Sequence, residues 1–117
     1  MTEVNIKDRV ITACKAISEK KGYDIKIIDI EGLSSISDYF VLATGNNINQ
    51  VQAISDEVFD SLAKEGVHPS HLEGYDKGTW ILMDYKDFIV HIFDKDARDF
   101  YNLERIWKDA PTEEYND

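Results

Sequence analysis

Four stretches of the chain hold residues whose types and spacing could do chemistry. The first runs Thr44-Gly45-Asn46-Asn47-Ile48-Asn49-Gln50, where an apolar run ends in glycine and an asparagine-rich turn opens a helical pattern. A helix N-terminus behind a glycine can hold a phosphate, because its unpaired amides and the helix dipole favour an anion. This stretch has neither the glycine spacing of a dinucleotide fingerprint nor the Gly-Lys-Ser/Thr of a phosphate loop, and no lysine or arginine lies close by. A plain strand-to-helix joint is the better reading: Gly45 tolerates the reversal, and Asn46 or Asn47 accepts hydrogen bonds from the first helical amides.

The second is Asp94-Lys95-Asp96, which would set two carboxylates on one side of a strand end, as a magnesium-dependent nucleotidyltransferase needs. No third acid accompanies them, and aspartates at such a place also cap a helix and suit the positive end of its dipole. The third set is His68, His71 and His91. Their spacing matches no zinc motif, so two loop histidines facing solvent and one packed strand histidine are expected. No serine sits in a nucleophile elbow. Catalytic, cofactor-binding and metal-ligating residues are therefore all assigned as none, and the chain is read as a non-enzyme.

The fourth stretch, EGYDKGTWILMDYKD, differs in kind. Side chains alternate along a strand, so Trp80, Leu82 and Asp84 share one face while Ile81 and Met83 take the other. Glu73, Tyr75 and Tyr85 are expected nearby at loop positions. Tryptophan and tyrosine commonly anchor interfaces, and surrounding carboxylates would select a basic partner. Two readings stay open: Trp80 packs beneath a helix, or it stands exposed among acids as a docking site.

The elements that must position these residues follow from periodicity. Ile6, Val10, Cys14 and Ile17 recur at helical spacing from Asn5 to about Lys21, with Asn5 and Asp8 to serve the first amides and Gly22 for a left-handed exit. Cys14 falls on that apolar stripe, as a small buried hydrophobe. YDIKIIDI and DYFVLATG read as paired strands, the second apolar enough for both faces to be covered. Val51, Ile54, Val58 and Leu62 mark a second helix, capped by Asn47 and Gln50 and ended by Gly66. A short strand over Leu72 to Gly74 precedes a hairpin turning at Tyr85-Lys86, whose second arm, Phe88 to Phe93, suits a sheet interior. Ala97, Phe100, Leu103 and Trp107 give a short helix between Asp94 and Trp107. These amount to roughly five strands and three helices in one domain over residues 1–110, with an acidic, flexible tail over 111–117.

Composition narrows the function. The 117 residues carry 23 acids against 13 lysines and arginines, a formal charge of -10, which disfavours non-specific nucleic-acid binding and favours basic partners. One cysteine rules out an internal disulfide and fits a reducing compartment. The start carries acids where a secretion signal is basic, and no apolar run is long enough to span a bilayer, so a soluble cytoplasmic protein with no membrane partner is expected.

Several long blocks, in one order and spacing, resemble the ribosomal silencing factors, also called the iojap family: DIKIIDIEGLSSISDYFVLATG, NQVQAISDEV, PSHLEGYDKGTWILMDYKDFIVHIF and RDFYNLERIW. The resemblance implies a small α+β domain with a mixed, nucleotidyltransferase-like sheet that lacks that chemistry. It also implies binding to the fourteenth protein of the large ribosomal subunit, steric blocking of small-subunit joining, repression of translation, and a homodimer. Trp80, Asp84 and Tyr85, with Glu73 and Leu82 as neighbours, are the matching docking positions. Lys86 stands where some relatives have glycine in the hairpin turn. A magnesium-dependent nucleotidyltransferase and a dimeric module with a non-ribosomal partner are the rival readings.

Overall fold

The apolar stripes and alternations become two layers of helix around one sheet in a computed structural model that describes residues 5–116. In chain order the elements are α1 (Ile6–Glu19), β1 (Tyr23–Asp29), β2 (Tyr39–Gly45), α2 (Ile48–Ala63), β3 (His71–Glu73), β4 (Trp80–Asp84), β5 (Phe88–Asp94), α3 (Lys95–Tyr101), α4 (Leu103–Ile106) and β6 (Thr112–Glu114). The sheet is mixed, in the order β3-β4-β5-β2-β1-β6. Only β2 and β5 run parallel; the other neighbours are antiparallel. This makes the central pair the most enclosed part of the sheet, and every residue from Phe88 to Phe93 is buried.

Strand alternation sorts the core into two layers. On the first face Ile27, Val41, Ala43, Ile81, Met83, Val90 and Ile92 meet Val10, Cys14 and Ile17 of α1 and Val51, Ile54, Val58 and Leu62 of α2. On the second, Ile28, Phe40, Leu42, Ile89 and Phe93 lie under Ala97 and Ala110, with Trp80, Leu82, Leu103 and Trp107 packed at the margin. Cys14 is fully buried, and desolvation pushes its thiol up to about 12.

The ends of the elements show where local expectation held. Asn5 accepts from the Lys7 amide at 2.9 Å, and Asn47 accepts from the Gln50 amide at 2.8 Å while Gln50 reaches back to the Asn46 amide. The exit from α1 differs: Lys21, with a φ of 66°, takes the left-handed turn expected of Gly22. Gly22 is needed for room instead, since a Cβ there would lie 2.4 Å from Cγ2 of Ile17. Gly45 likewise serves close approach, not an unusual φ: a Cβ would stand 3.0 Å from Cγ2 of Val51, where α2 crosses the end of β2.

Two larger expectations are corrected. The last helix is broken, because Asn102 turns left-handed with a φ of 44° and starts α4 in a new direction. Phe100, within α3, is 80% exposed. Residues 112–114 of the expected tail form β6, a sixth strand that pairs Lys26 with Glu114 and Ile28 with Thr112. The Asp29 amide donates to the Pro111 carbonyl at 2.8 Å and that of Tyr115 to Ile25 at 2.9 Å. The open edge of β1 supplies unpaired backbone groups that an extended segment can satisfy, and Lys7 holds Glu113 in an ion pair. Asp117, also assigned to the tail, lies outside the described residues.

Candidate docking site

The antiparallel register of β4 on β5 places Trp80 opposite Phe93 and Leu82 opposite His91, all on the second face. Trp80 is half-buried. Its indole lies 5.1 Å from the Phe93 ring and 4.5 Å from the ring of Tyr101, which arrives from the end of α3. The indole N–H donates to Nδ1 of His91 at 3.1 Å. A helix residue thus covers one side of the Trp80 ring, and the rest stays accessible.

Beside it, Glu73, Gly74, Trp80 and Leu82 line a shallow pocket of about 240 Å³. Glu73, on the edge strand β3, pairs with Leu82 and is exposed. Gly74 is required there, because its φ is 81° and a Cβ would fall 2.1 Å from the Trp80 carbonyl oxygen. The loop behind it is closed by the Gly78 amide donating to the Gly74 carbonyl at 3.0 Å. Tyr75 pins the loop to α2, its hydroxyl donating to Asp56 at 2.9 Å while its carbonyl accepts from Gln52 at 2.8 Å. Asp84, half-buried, takes the Lys86 amide at 2.8 Å, and Lys86 adopts the left-handed φ of 72° at the turn.

Of the five residues expected at the surface, Glu73, Trp80 and Leu82 meet at the pocket, Asp84 shares their sheet face at the far end of β4, and Tyr85 does not. Tyr85 is buried in the first layer, stacked 5.0 Å from Phe88, and desolvation raises its pKa. The alternation that sends Ile81 and Met83 to that layer, continued one residue further, sends Tyr85 there too.

Periodicity gave no hint of the group that holds α3 and α4 on the sheet. Arg98 is buried at 6% exposure, with its guanidinium forked onto both Glu104 oxygens at 3.1 Å and donating to the Thr44 hydroxyl at 2.8 Å. Asp24 lies 3.6 Å away and Lys26 reaches Glu104 at 3.2 Å. Burial pushes Glu104 up, but Arg98 and Lys26 outweigh it and hold the carboxyl below its usual range. In an unbroken helix, residues six apart point about 120° apart. Only the turn at Asn102 lets Arg98 and Glu104 face one another.

Thr44, Asn47, Gln50 and Asp94, from the other candidate sets, make structural hydrogen bonds. Thr44 serves Arg98, and the Asn46 and Gln50 amides are satisfied within the joint. Asp94 accepts from the Ala97 amide at 2.8 Å and Asp96 lies in the first turn of α3, as capping requires. His68 and His71 are exposed and His91 is buried in β5. Among the described residues no three of His, Cys, Asp and Glu gather closely enough to hold a metal ion, and no helix is long and apolar enough to cross a membrane.

This geometry belongs to an α+β domain built on an open mixed sheet, and solved structures share it. The chain superposes on a crystal structure of a Chromobacterium violaceum protein with a TM-score of 0.87 and 32% identity, covering 90% of this chain and 88% of that one. For a Bacillus halodurans structure the TM-score is 0.82 with 36% identity, covering 93% and 99%. Residues 3–117 match the family described as ribosomal silencing factor during starvation. The chain is 42% identical to the ribosomal silencing factor RsfS of Bacillus subtilis over 92% of each protein. It is 33% identical to the chloroplastic Iojap protein of Zea mays, over 86% of this chain and 43% of that one. The chain belongs to the ribosomal silencing factor family.

Proposed function

We propose that this chain silences ribosomes by docking on the large subunit and standing in the way of the small one. The docking face is Glu73, Trp80, Leu82 and Asp84, extended by Tyr101 and Phe100 of α3. Its partner is a basic ribosomal protein, by family resemblance the fourteenth of the large subunit. The observation that carries this is the half-exposed Trp80 indole beside the Glu73 pocket, in a family whose members are named silencing factors. An aromatic anchor flanked by carboxylates on a chain of net charge -10 complements a cationic protein surface. A steric blocker needs affinity and bulk, and no bond is made or broken. The protein acts in the cytoplasm, and when free it pairs with a second copy through the same apolar face, which the ribosome competes for.

Co-sedimentation with purified large subunits tests the site. Trp80→Glu should weaken binding by about 30-fold or more, as loss of a central anchor does, with an unchanged circular dichroism spectrum. Raised salt should slow association of the parent protein. Full binding by the Trp80→Glu protein would remove the site from consideration.

A further inference from the structure

Beneath the proposed docking indole lies a histidine that the fold does not need. His91 and Trp80 are diagonal neighbours across the β4–β5 ladder, since His91 pairs with Leu82 and Trp80 with Phe93. That spacing lets an indole reach an imidazole on the same face. The Trp80 N–H donates to Nδ1 of His91 at 3.1 Å, so Nδ1 carries no proton and a neutral ring must carry its own on Nε2. His91 is 4% exposed, and its Nε2 finds no hydrogen-bond partner among the described residues. Phe40 meets the ring edge-on at 4.8 Å, and Phe93 lies parallel to it at 6.1 Å.

A buried donor without an acceptor destabilises the folded chain, whereas an apolar side chain of similar size would carry no such penalty. Trp80 is only partly buried, so an indole freed from the imidazole can turn its N–H to water. The stability of the domain is therefore better served by leucine or phenylalanine at position 91. What His91 adds is orientation: with its N–H tied from below and Tyr101 against the ring, the indole is held in one rotamer. An anchor already in its bound rotamer loses less freedom on docking.

We propose that His91 is a positioning residue for docking: it locks the Trp80 indole in the presenting rotamer and lowers native stability in doing so. This rests on the reading of Trp80 as the docking anchor. The test pairs His91→Leu with His91→Gln, whose amide oxygen can accept from the indole. In the free protein, diluted below self-association, the Trp80 indole N–H resonance, assigned by its loss in Trp80→Phe, should shift toward the solvent-exposed position and exchange faster in His91→Leu. The melting temperature of that variant should equal or exceed the parent's. Its binding to large subunits should weaken by up to about tenfold, the equivalent of ordering one side chain. His91→Gln should recover part of both the resonance and the affinity.

A lower melting temperature with an unmoved indole resonance would mean a packing role only and overturn the proposal. So would a freed indole with undiminished binding, provided Trp80→Glu abolishes binding. If Trp80→Glu binds fully, the docking reading itself fails; the orienting hydrogen bond is then still decided by the resonance.

Discussion

The two faces of the sheet are built to different ends. The first is closed by α1 and α2 over an apolar layer in which fourteen-residue and sixteen-residue helices supply full stripes. The second is covered only in part by two short helices, and there the fold keeps a buried guanidinium, a buried imidazole with an unpaired nitrogen, and three aromatic rings at the surface. Apolar burial stabilises without geometric demands, while buried polar groups stabilise only when fully partnered. The first face is closed over its apolar layer, whereas the second leaves Trp80, Tyr101 and Phe100 partly accessible, as the proposed docking requires. Accessible apolar groups of this kind cluster where proteins bind.

The sharpest way to break this contrast is to cut matched holes in the two faces. Ile54→Ala, in the first layer, should lower unfolding free energy by about 2–5 kcal/mol, as cavities in closed cores do. Leu82→Ala, at the half-covered margin, should cost less than about 1.5 kcal/mol because water reaches its place. Urea titration of the two variants checks the ratio, and equal losses would erase the distinction between the faces.

Acid should act on the second face. Burial pulls the His91 pKa from 6.5 down to about 4, so between those values the unfolded chain binds a proton that the folded chain refuses. Stability should therefore rise with pH across that window, by about 3 kcal/mol over its full span. Glu104, held below its usual range, adds the same sign further toward acid, its contribution lost as pH falls through its folded pKa. Melting temperatures of the parent and His91→Leu between pH 4 and 7 should show the slope flattened in the variant.

The smallest effect is expected where exposure is greatest. Phe100→Asp should change stability by less than about 0.5 kcal/mol, since a side chain 80% exposed has little burial to lose. It should still weaken co-sedimentation with large subunits by a few-fold, roughly 1 kcal/mol, if α3 extends the docking face. Unchanged binding would confine that face to β3 and β4.

Much of the first face was legible in the sequence, because regular periods encode it. Val10, Cys14 and Ile17 in α1, and Val51 to Leu62 in α2, announce a buried stripe, and WILMD announces its two sides. The same alternation identified Trp80 and Leu82 as companions, and it would have withdrawn Tyr85 had it been extended past the strand end. The second face was harder to read, since its construction depends on contacts between distant residues. The spacing of Ala97, Phe100, Leu103 and Trp107 runs straight through the break at Asn102, which a left-handed backbone makes without any change of pattern. The pairing of β6 satisfies an edge in β1 some ninety residues earlier, while its own composition reads as solvated acid. Arg98 and Glu104 meet only after the break has occurred, and the bond from Trp80 to His91 requires the hairpin register.

The proposed function requires that the folded chain on a large subunit exclude the small one. Light scattering of purified subunits mixed in joining buffer, with a saturating excess of this protein added first, measures it directly. The rise in scattering should be suppressed by the parent protein and restored when Trp80→Glu replaces it. Full joining in the presence of the bound parent protein would contradict the proposed function.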